Sequence, residues 1–419
     1  MLYENLIANT IEQLINYSYY YPLFMAYIWM VGSIYYLFHW ERKNSNTPEL
    51  KEYPLVSILV PCYNEEKHIK ETIEYLLETN YPNFEIIAVN DGSKDKTGEI
   101  LKDLEEKYSE LRVIEFETNQ GKAMGLNCAA MVSKGEYLVC IDGDTILDPD
   151  AIHWMIHHFL TGPRVGAVTG NPRIRNRSTL LGKIQIGEFS AIVGMIKRAQ
   201  RIYGRIFTVS GVIAAFRKTA IHQVGYWHTD MVTEDIDISW RLELNHWDIR
   251  FEPNALCWML VPETIKGLWK QRLRWAQGGA EVIKKYFKYI FNYKNRRMWG
   301  IYLEYILSLI WAYSAVITII LWFLGYFITL PKNIQVPTLI PSVYGTFLGI
   351  TFLLQFALSL IIDSKYEKGI ARYYYWIIWY PFVFWIINVF TTSVGFIKAI
   401  FKKKGKRAVW ESPDRGIGV

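Results

Sequence analysis

Long apolar runs occupy both ends of this chain, and a stretch with shorter periods lies between them. Tyr21–Trp40 is almost free of charge, and roughly 20 apolar residues suffice to cross a bilayer. Before it, Met1–Tyr20 mixes polar and apolar positions and predicts a separate helix at the membrane interface. Glu41, Arg42 and Lys43 follow the span, so the positive-inside rule puts the next segment in the cytosol. No small-residue cleavage site follows the first run, so no cleavable leader is expected. Three further spans are predicted at about Ile301–Thr329, Leu339–Ile362 and Tyr373–Ile400. The loop Asp363–Arg372 and the tail Lys402–Arg407 are both basic, which assigns both to the cytosol. That conflicts with a single crossing by Tyr373–Ile400, unless Pro381 breaks the run into a bent or re-entrant segment.

The middle of the chain alternates between strand and helix periods. Leu55–Val60, Phe84–Asn90, Leu111–Phe116 and Tyr137–Ile141 read as strands. Glu65–Thr79, Asp95–Tyr108 and a segment from about Gly121 read as helices. This β-α rhythm predicts a mostly parallel sheet covered on both faces, with ligands at the carboxyl ends of its strands. Arg173–Tyr203 is less regular. Ile213–Phe216, Asp235–Leu244 and Arg250–Glu252 continue the α/β domain. Glu263–Tyr289 is amphipathic, rich in Trp, Lys and Arg, and reads as a helix along the membrane surface.

Composition sharpens this picture. Of 419 residues, 51 % are hydrophobic and 21 % charged, too apolar for an ordinary soluble protein and too charged for a bare membrane bundle. The net charge of +6 is carried by Lys and Arg that flank the apolar runs. They fit anionic lipid rather than nucleic acid, which would need a basic groove with exposed aromatics. Cys62, Cys128, Cys140 and Cys257 are widely spaced in apolar surroundings and read as reduced core residues.

The candidate chemistry lies at the strand ends. Pro61-Cys62-Tyr63-Asn64-Glu65 follows the first strand and offers polar groups for a base and a ribose, although Asn64 alone would serve as a helix cap. Asp91, before Gly92, ends the second strand, where a plain turn is the simpler reading. Lys122 opens a helix, against the helix dipole, and needs a phosphate or an acidic neighbour to balance it. Asp142-Gly143-Asp144 places two carboxylates at the open end of an apolar strand; a hard cation such as Mg²⁺ or Mn²⁺ would relieve their repulsion. Thr233-Glu234-Asp235 is either a helix start or the seat of a general base. Gln271-Arg272-Leu273-Arg274-Trp275 combines phosphate-binding and ring-stacking groups, which also make an interfacial anchor. Singly these are ambiguous. Their joint order is not, and no G-x-x-x-x-G-K-[ST] or G-x-G-x-x-G loop supports an ATPase or a dinucleotide enzyme.

The ordered set resembles the processive family 2 glycosyltransferases: the cellulose, chitin, hyaluronan and poly-N-acetylglucosamine synthases. Within that group it is most similar to bacterial poly-β-1,6-N-acetylglucosamine synthases. The stretches VGAVTGNPRIRNRSTL, IYGRIFTVSGVIAAFRK, TEDIDISWRLELN, ETIKGLWKQRLRWAQGGAEV and SPDRGI carry that likeness. The resemblance implies a GT-A-like nucleotide-sugar domain at 46–260, an N-terminal membrane segment at 1–45 and interfacial helices at 261–297. Transmembrane helices at 298–401 and a basic tail at 402–419 would follow.

It also implies roles for single residues. Asp91 would contact the uridine, Asp142 the ribose and diphosphate, and Asp144 the metal. Asp235 would be the base. Pro61, Tyr63, Glu65, Lys122, Arg272 and Arg274 would serve the donor, and Glu234, Gln271 and Trp275 the acceptor end. The implied partners are UDP-N-acetylglucosamine, the growing polysaccharide, the lipid bilayer and a small membrane subunit, with no nucleic acid. The domain would lie in the cytosol beneath the cell membrane. No cyclic di-GMP-sensing domain follows the spans, which weakens the cellulose reading. A chitin or hyaluronan type of synthase is the alternative enzyme. A transport scaffold with a vestigial nucleotide domain is the alternative without catalysis, although a scaffold need not keep every acidic cluster.

Overall fold

The computed structural model describes residues 2–42, 46–339, 342–403, 405 and 407. Lys43 and the SPDRGI stretch lie outside the described residues. A single eight-stranded sheet organises the middle of the chain. Its strands are β1 (Val56–Cys62), β2 (Phe84–Asp91), β3 (Leu111–Phe116), β4 (Tyr137–Ile141), β5 (Ile146–Leu147), β6 (Val165–Ile174), β7 (Ile213–Arg217) and β8 (Asp248–Met259), in the order β3-β2-β1-β4-β7-β6-β8-β5. β1 to β4 are mutually parallel, β7 inserts antiparallel between β4 and β6, and β8 runs parallel to β6.

Side chains of a strand alternate between faces, so a sheet buried on both sides needs two cores. Ile58 and Val60 enter one of them with Ile73, Leu101 and Met155; Leu59 and Leu138 enter the other with Leu126, Ile221 and Ile238. The helices supplying these residues are α2 (Ile69–Leu77), α3 (Thr97–Lys107) and α5 (Ala151–Thr161) on the first face. On the second they are α4 (Lys122–Val132), α8 (Lys218–Val224) and α9 (Glu234–Leu244).

Among the described residues, four helices are long and apolar enough to cross a membrane: Asn9–Glu41, Tyr293–Leu324, Gly345–Asp363 and Val383–Phe401. The first departs from the expected division at Tyr20. Leu2–Tyr36 is one helix, α1, running through Pro22 and continuing as a π-helix to Glu41. Arg173–Tyr203 departs as well. After β6 it is largely helical, with α6 (Leu180–Glu188), a π-helical segment Phe189–Met195 and α7 (Ile196–Tyr203) in unbroken succession. Its periodicity was obscured because the stretch is buried on several sides. One face packs on the sheet, and α7 lies so close to α1 that a Cβ on Gly32 would stand 2.8 Å from Ala199.

The remaining helices are α10 (Ile265–Tyr286), α11 (Trp299–Leu324), α12 (Ser342–Asp363), α13 (Tyr374–Ile377) and α14 (Tyr380–Phe401). They resolve the conflict over the last apolar run. Asp363, ending α12, pairs with Arg173 at 2.7 Å and Arg198 at 3.1 Å. Lys402, just past α14, pairs with Glu281 at 2.8 Å and bonds the Asp230 carbonyl at 2.6 Å. Both basic segments therefore meet the α/β domain. Between them the chain makes a hairpin. It runs inward beside α12, where the Tyr374 hydroxyl donates to the Leu353 carbonyl at 3.0 Å, and α14 brings it back. A proline in the first turn of α14 marks the reversal, where its missing N–H has no helical partner to lose.

Candidate active site

The carboxyl ends of β1, β2 and β4 open on one side of the sheet, and the loops there are tied together before any ligand binds. The Asn64 N–H donates to Ser93 Oγ at 2.9 Å, and the Lys94 N–H to Asn64 Oδ1 at 2.9 Å. Asp91 is fully buried, and its two oxygens accept from the Gln120 and Gly121 N–H groups at 2.6 and 2.8 Å. Burial pushes its pKa up, against those two bonds. Gly92 has φ +66 and passes the next loop so closely that a Cβ would lie 2.6 Å from the Thr118 backbone, so only glycine fits. The Asp142–Asp144 turn is closed by Thr145 N–H to Asp142 O at 3.1 Å and buttressed by Thr72 Oγ1 on Gly143 O at 3.0 Å. Glu65 packs beneath the same turn.

Lys122 finds acidic neighbours at the start of α4. Its Nζ lies 2.6 Å from Asp142 and 3.2 Å from Glu234, and donates to Gly211 O at 3.1 Å. Burial opposes its charge, but Asp142 and Glu234 outweigh burial and its pKa is raised. Glu234 and Asp235 begin α9 side by side. Burial and the neighbouring Glu234 charge push Asp235 up to about 6, while Lys122 and Arg274 pull it down. Glu234, paired to Lys122, moves the other way despite burial. Two adjacent carboxylates thus divide the work: one remains ionised and the other titrates near neutrality.

A cavity of about 550 Å³ begins at these groups. Lys122, Asp142, Asp144, Glu234 and Asp235 line one end, and Gln271, Arg274 and Trp275 of α10 stand beside them. The other end lies between the spans, lined by Met25, Trp311, Phe352 and Trp385. The fit of α9 against α10 is tight. A Cβ on Gly278 would stand 2.0 Å from Thr233 Oγ1.

Most of the residues singled out in the sequence converge here, with different standing. Asp142, Asp144, Lys122, Glu234, Asp235, Gln271, Arg274 and Trp275 share the cavity wall. Pro61, Tyr63, Glu65 and Asp91 shape the loops at one side of it. Arg272 requires a correction. It is buried behind the cavity wall, with its guanidinium 2.7 Å from Glu188 and stacked 4.2 Å from the Trp275 ring centroid. Its charge is taken by Glu188, and it also donates to Gln271 Oε1 at 2.7 Å, so it braces two residues of the cavity wall and is not itself part of the lining. Sequence reasoning missed Lys197, Ser210, Gly211, Thr169 and Gly278. Only Lys197 left a signal, as a lysine directly after the apolar run Ile192-Val193-Gly194-Met195-Ile196.

A mixed sheet with acidic strand ends, opening on a cavity that enters a set of apolar spans, defines a membrane-bound glycosyltransferase. The comparisons agree. Residues 54–278 match the model of the glycosyltransferase like family 2. The chain is 43 % identical over 411 residues to the poly-beta-1,6-N-acetyl-D-glucosamine synthase of Staphylococcus epidermidis, covering 96 % of this chain and 98 % of that one. The Staphylococcus aureus (strain COL) synthase of the same name is 43 % identical over 416 residues, covering 96 % and 99 %. Among solved structures, a mannosyltransferase from Pyrobaculum calidifontis in complex with GDP-Man and Mn²⁺ superposes with a TM-score of 0.58 at 18 % identity, covering 95 % of this chain and 100 % of that one; it supports the fold alone. The chain belongs to glycosyltransferase family 2 and is a membrane protein homologous to the poly-β-1,6-N-acetylglucosamine synthases.

Proposed function

We propose that the protein polymerises N-acetylglucosamine from UDP-N-acetylglucosamine into β-1,6-linked poly-N-acetylglucosamine, an exopolysaccharide of the biofilm matrix. It would do so on the cytosolic face of the cell membrane and pass the chain outward between its spans. One observation carries this reading beyond the homology: Asp235, a carboxylate titrating near neutrality, sits at the mouth of a cavity that continues between membrane helices. A soluble transferase would need no such continuation.

Asp235 takes the proton of the acceptor's 6-hydroxyl as that oxygen attacks the anomeric carbon. The new O6–C1 bond forms as the C1–O bond to the diphosphate breaks, and UDP leaves with the electron pair. The configuration inverts in one displacement, so no nucleophilic side chain is required. Lys122 keeps Glu234 ionised, and Arg274 adds positive charge where the diphosphate departs. Trp275, stiffened by Arg272, offers a ring face to the acceptor sugar.

The residues suit a hard divalent ion. Asp144 and Asp142 are oxygen donors one residue apart, and among the described residues no third His, Cys, Asp or Glu completes a protein cage. That is the pattern of a Mg²⁺ or Mn²⁺ site finished by substrate phosphates. Asp142 pairs with Lys122, and Asp144 on the cavity wall beside it is the proposed ligand. When bound, the ion would neutralise the leaving diphosphate. A small membrane subunit belongs to the same proposal, docked on the exposed apolar faces of the spans.

Membranes carrying the protein should make polymer from UDP-N-acetylglucosamine and from neither UDP-glucose nor UDP-glucuronate, with a divalent ion present. The product should yield to a β-1,6-specific hydrolase. Digestion by chitinase instead would replace this reading with a chitin synthase. Asp235→Asn should abolish polymer and still bind UDP; normal polymer from that variant would refute the mechanism.

A further inference from the structure

One buried cation has no part in the chemistry above. Lys197 in α7 is 6 % exposed and lines the cavity together with Asp235. Its Nζ lies 2.6 Å from Ser210 Oγ and 3.0 Å from Thr169 Oγ1. Both partners are neutral hydroxyls, and among the described residues no carboxylate pairs with it. Its neighbour Arg198, by contrast, pairs with Glu41 at 2.5 Å and Asp363 at 3.1 Å.

The two hydroxyls form part of a closed arrangement. Thr169 Oγ1 also accepts the Ser210 N–H at 2.8 Å, so Lys197, Thr169 and Ser210 brace one another. The next residue, Gly211, forms the wall opposite Asp235: its carbonyl accepts from Lys122 at 3.1 Å, and a Cβ on it would stand 3.1 Å from Asp235 Oδ2. Lys197 lines the same cavity as Asp235, Asp142 and Asp144. Burial pulls its pKa down to about 7 against the Asp235 charge; in its ammonium form it has three donors, of which Ser210 and Thr169 engage two. A buried charge without a counter-ion is costly unless further hydrogen bonds compensate it. A sugar chain is a dense array of neutral hydroxyl and amide oxygens, and the cavity is where it would lie.

We propose that Lys197 binds the acceptor: anchored by Ser210 and Thr169, it donates its third N–H to a hydroxyl or acetamido oxygen of the terminal sugar and so holds the attacking hydroxyl toward Asp235. This rests on the acceptor being an N-acetylglucosamine chain. The test measures UDP release against rising concentrations of a β-1,6-linked N-acetylglucosamine pentamer, with UDP binding measured in parallel. Lys197→Met keeps the aliphatic stem and removes the donor. It should raise the acceptor KM about tenfold, the usual weight of one charge-assisted bond, and leave UDP affinity within about twofold. Ser210→Ala, a milder change, should raise the acceptor KM by about threefold, again without moving UDP affinity. Lys197→Arg should recover part of the loss. An unchanged acceptor KM in either Lys197→Met or Ser210→Ala overturns the proposal, as does an equal loss of UDP and acceptor binding in Ser210→Ala. If the unmodified protein transfers to no such pentamer, the substrate reading fails first and this proposal falls with it.

Discussion

The pH dependence of transfer tests the division of labour between Glu234 and Asp235. Burial and the Glu234 charge push Asp235 up to about 6. A general base must be ionised, so activity should be complete above about pH 7 and lost as pH falls through about 6. With one proton involved, the ionised fraction is ~0.9 at pH 7 and ~0.1 at pH 5. An aspartate with an ordinary pKa would stay ~0.9 ionised at pH 5, so the two cases differ by roughly tenfold in rate. Two substitutions then move the limb in opposite directions. Glu234→Gln removes the like charge and should carry the limb to lower pH. Lys122→Gln removes a cation that pulls Asp235 down and should carry it to higher pH. The assay is initial UDP release at saturating donor and acceptor from pH 5 to 8, with UDP binding followed at each pH to show that the fold persists. A flat rate between pH 5 and 7, or two variants that shift the limb the same way, would refute the reasoning.

Other outcomes follow from the same geometry. Gly278→Ala places a methyl where Thr233 Oγ1 is 2.0 Å away, so α9 and α10 must part by more than 1 Å, and transfer should fall about 100-fold; combining it with Thr233→Gly should restore much of the rate, and a fully active single variant would show that the helices are not in register as described. Asp144→Asn should abolish the dependence of UDP binding on added Mn²⁺, read by titration calorimetry with and without the ion; an unchanged dependence removes Asp144 as ligand. Asp363→Asn leaves the buried Arg173 and Arg198 short of a counter-charge, at a cost of about 3 kcal/mol, which a thermal melt of the detergent-solubilised protein should register as a clear loss.

The parallel half of the sheet was legible because its strands are short, apolar and bounded by glycine, proline and acids; β1 to β4 fall within a residue or two of their expected limits. The acidic strand ends were legible for the same reason: a carboxylate at the end of an apolar run stands out. Two kinds of feature were not. The stretch Leu180–Met195 is buried on the sheet and on α12 at once, so it has no polar face to set a helical period. Packing partners remote in sequence were also hidden. Nothing local marks Gly278 as the residue that must admit Thr233, or Arg272 as the partner of Glu188, because each is defined by a helix more than forty residues away. Beside Gln271 and Arg274, Arg272 looked like part of one phosphate-binding set, but in the fold its charge is taken by Glu188.

The hidden stretch leads into α7, where the domain meets the membrane. Arg198 and Lys197 are consecutive, so on a helix they point about 100° apart. Arg198 turns to Glu41 at the end of α1 and Asp363 at the end of α12, and Lys197 turns into the cavity. An apolar contact of the same area would seat the domain on the spans but leave it free to slide or rotate. Ion pairs are directional, and a buried arginine held by carboxylates from two different spans fixes one orientation. The fixed helix then sets the position of Lys197, which braces Ser210, and Ser210 leads directly to the Gly211 wall opposite Asp235. A chain of contacts therefore runs from two membrane helices to the proposed base through two adjacent side chains. Held this way, the base stays aligned with the opening between the spans, as an enzyme that adds one sugar after another to a departing chain requires.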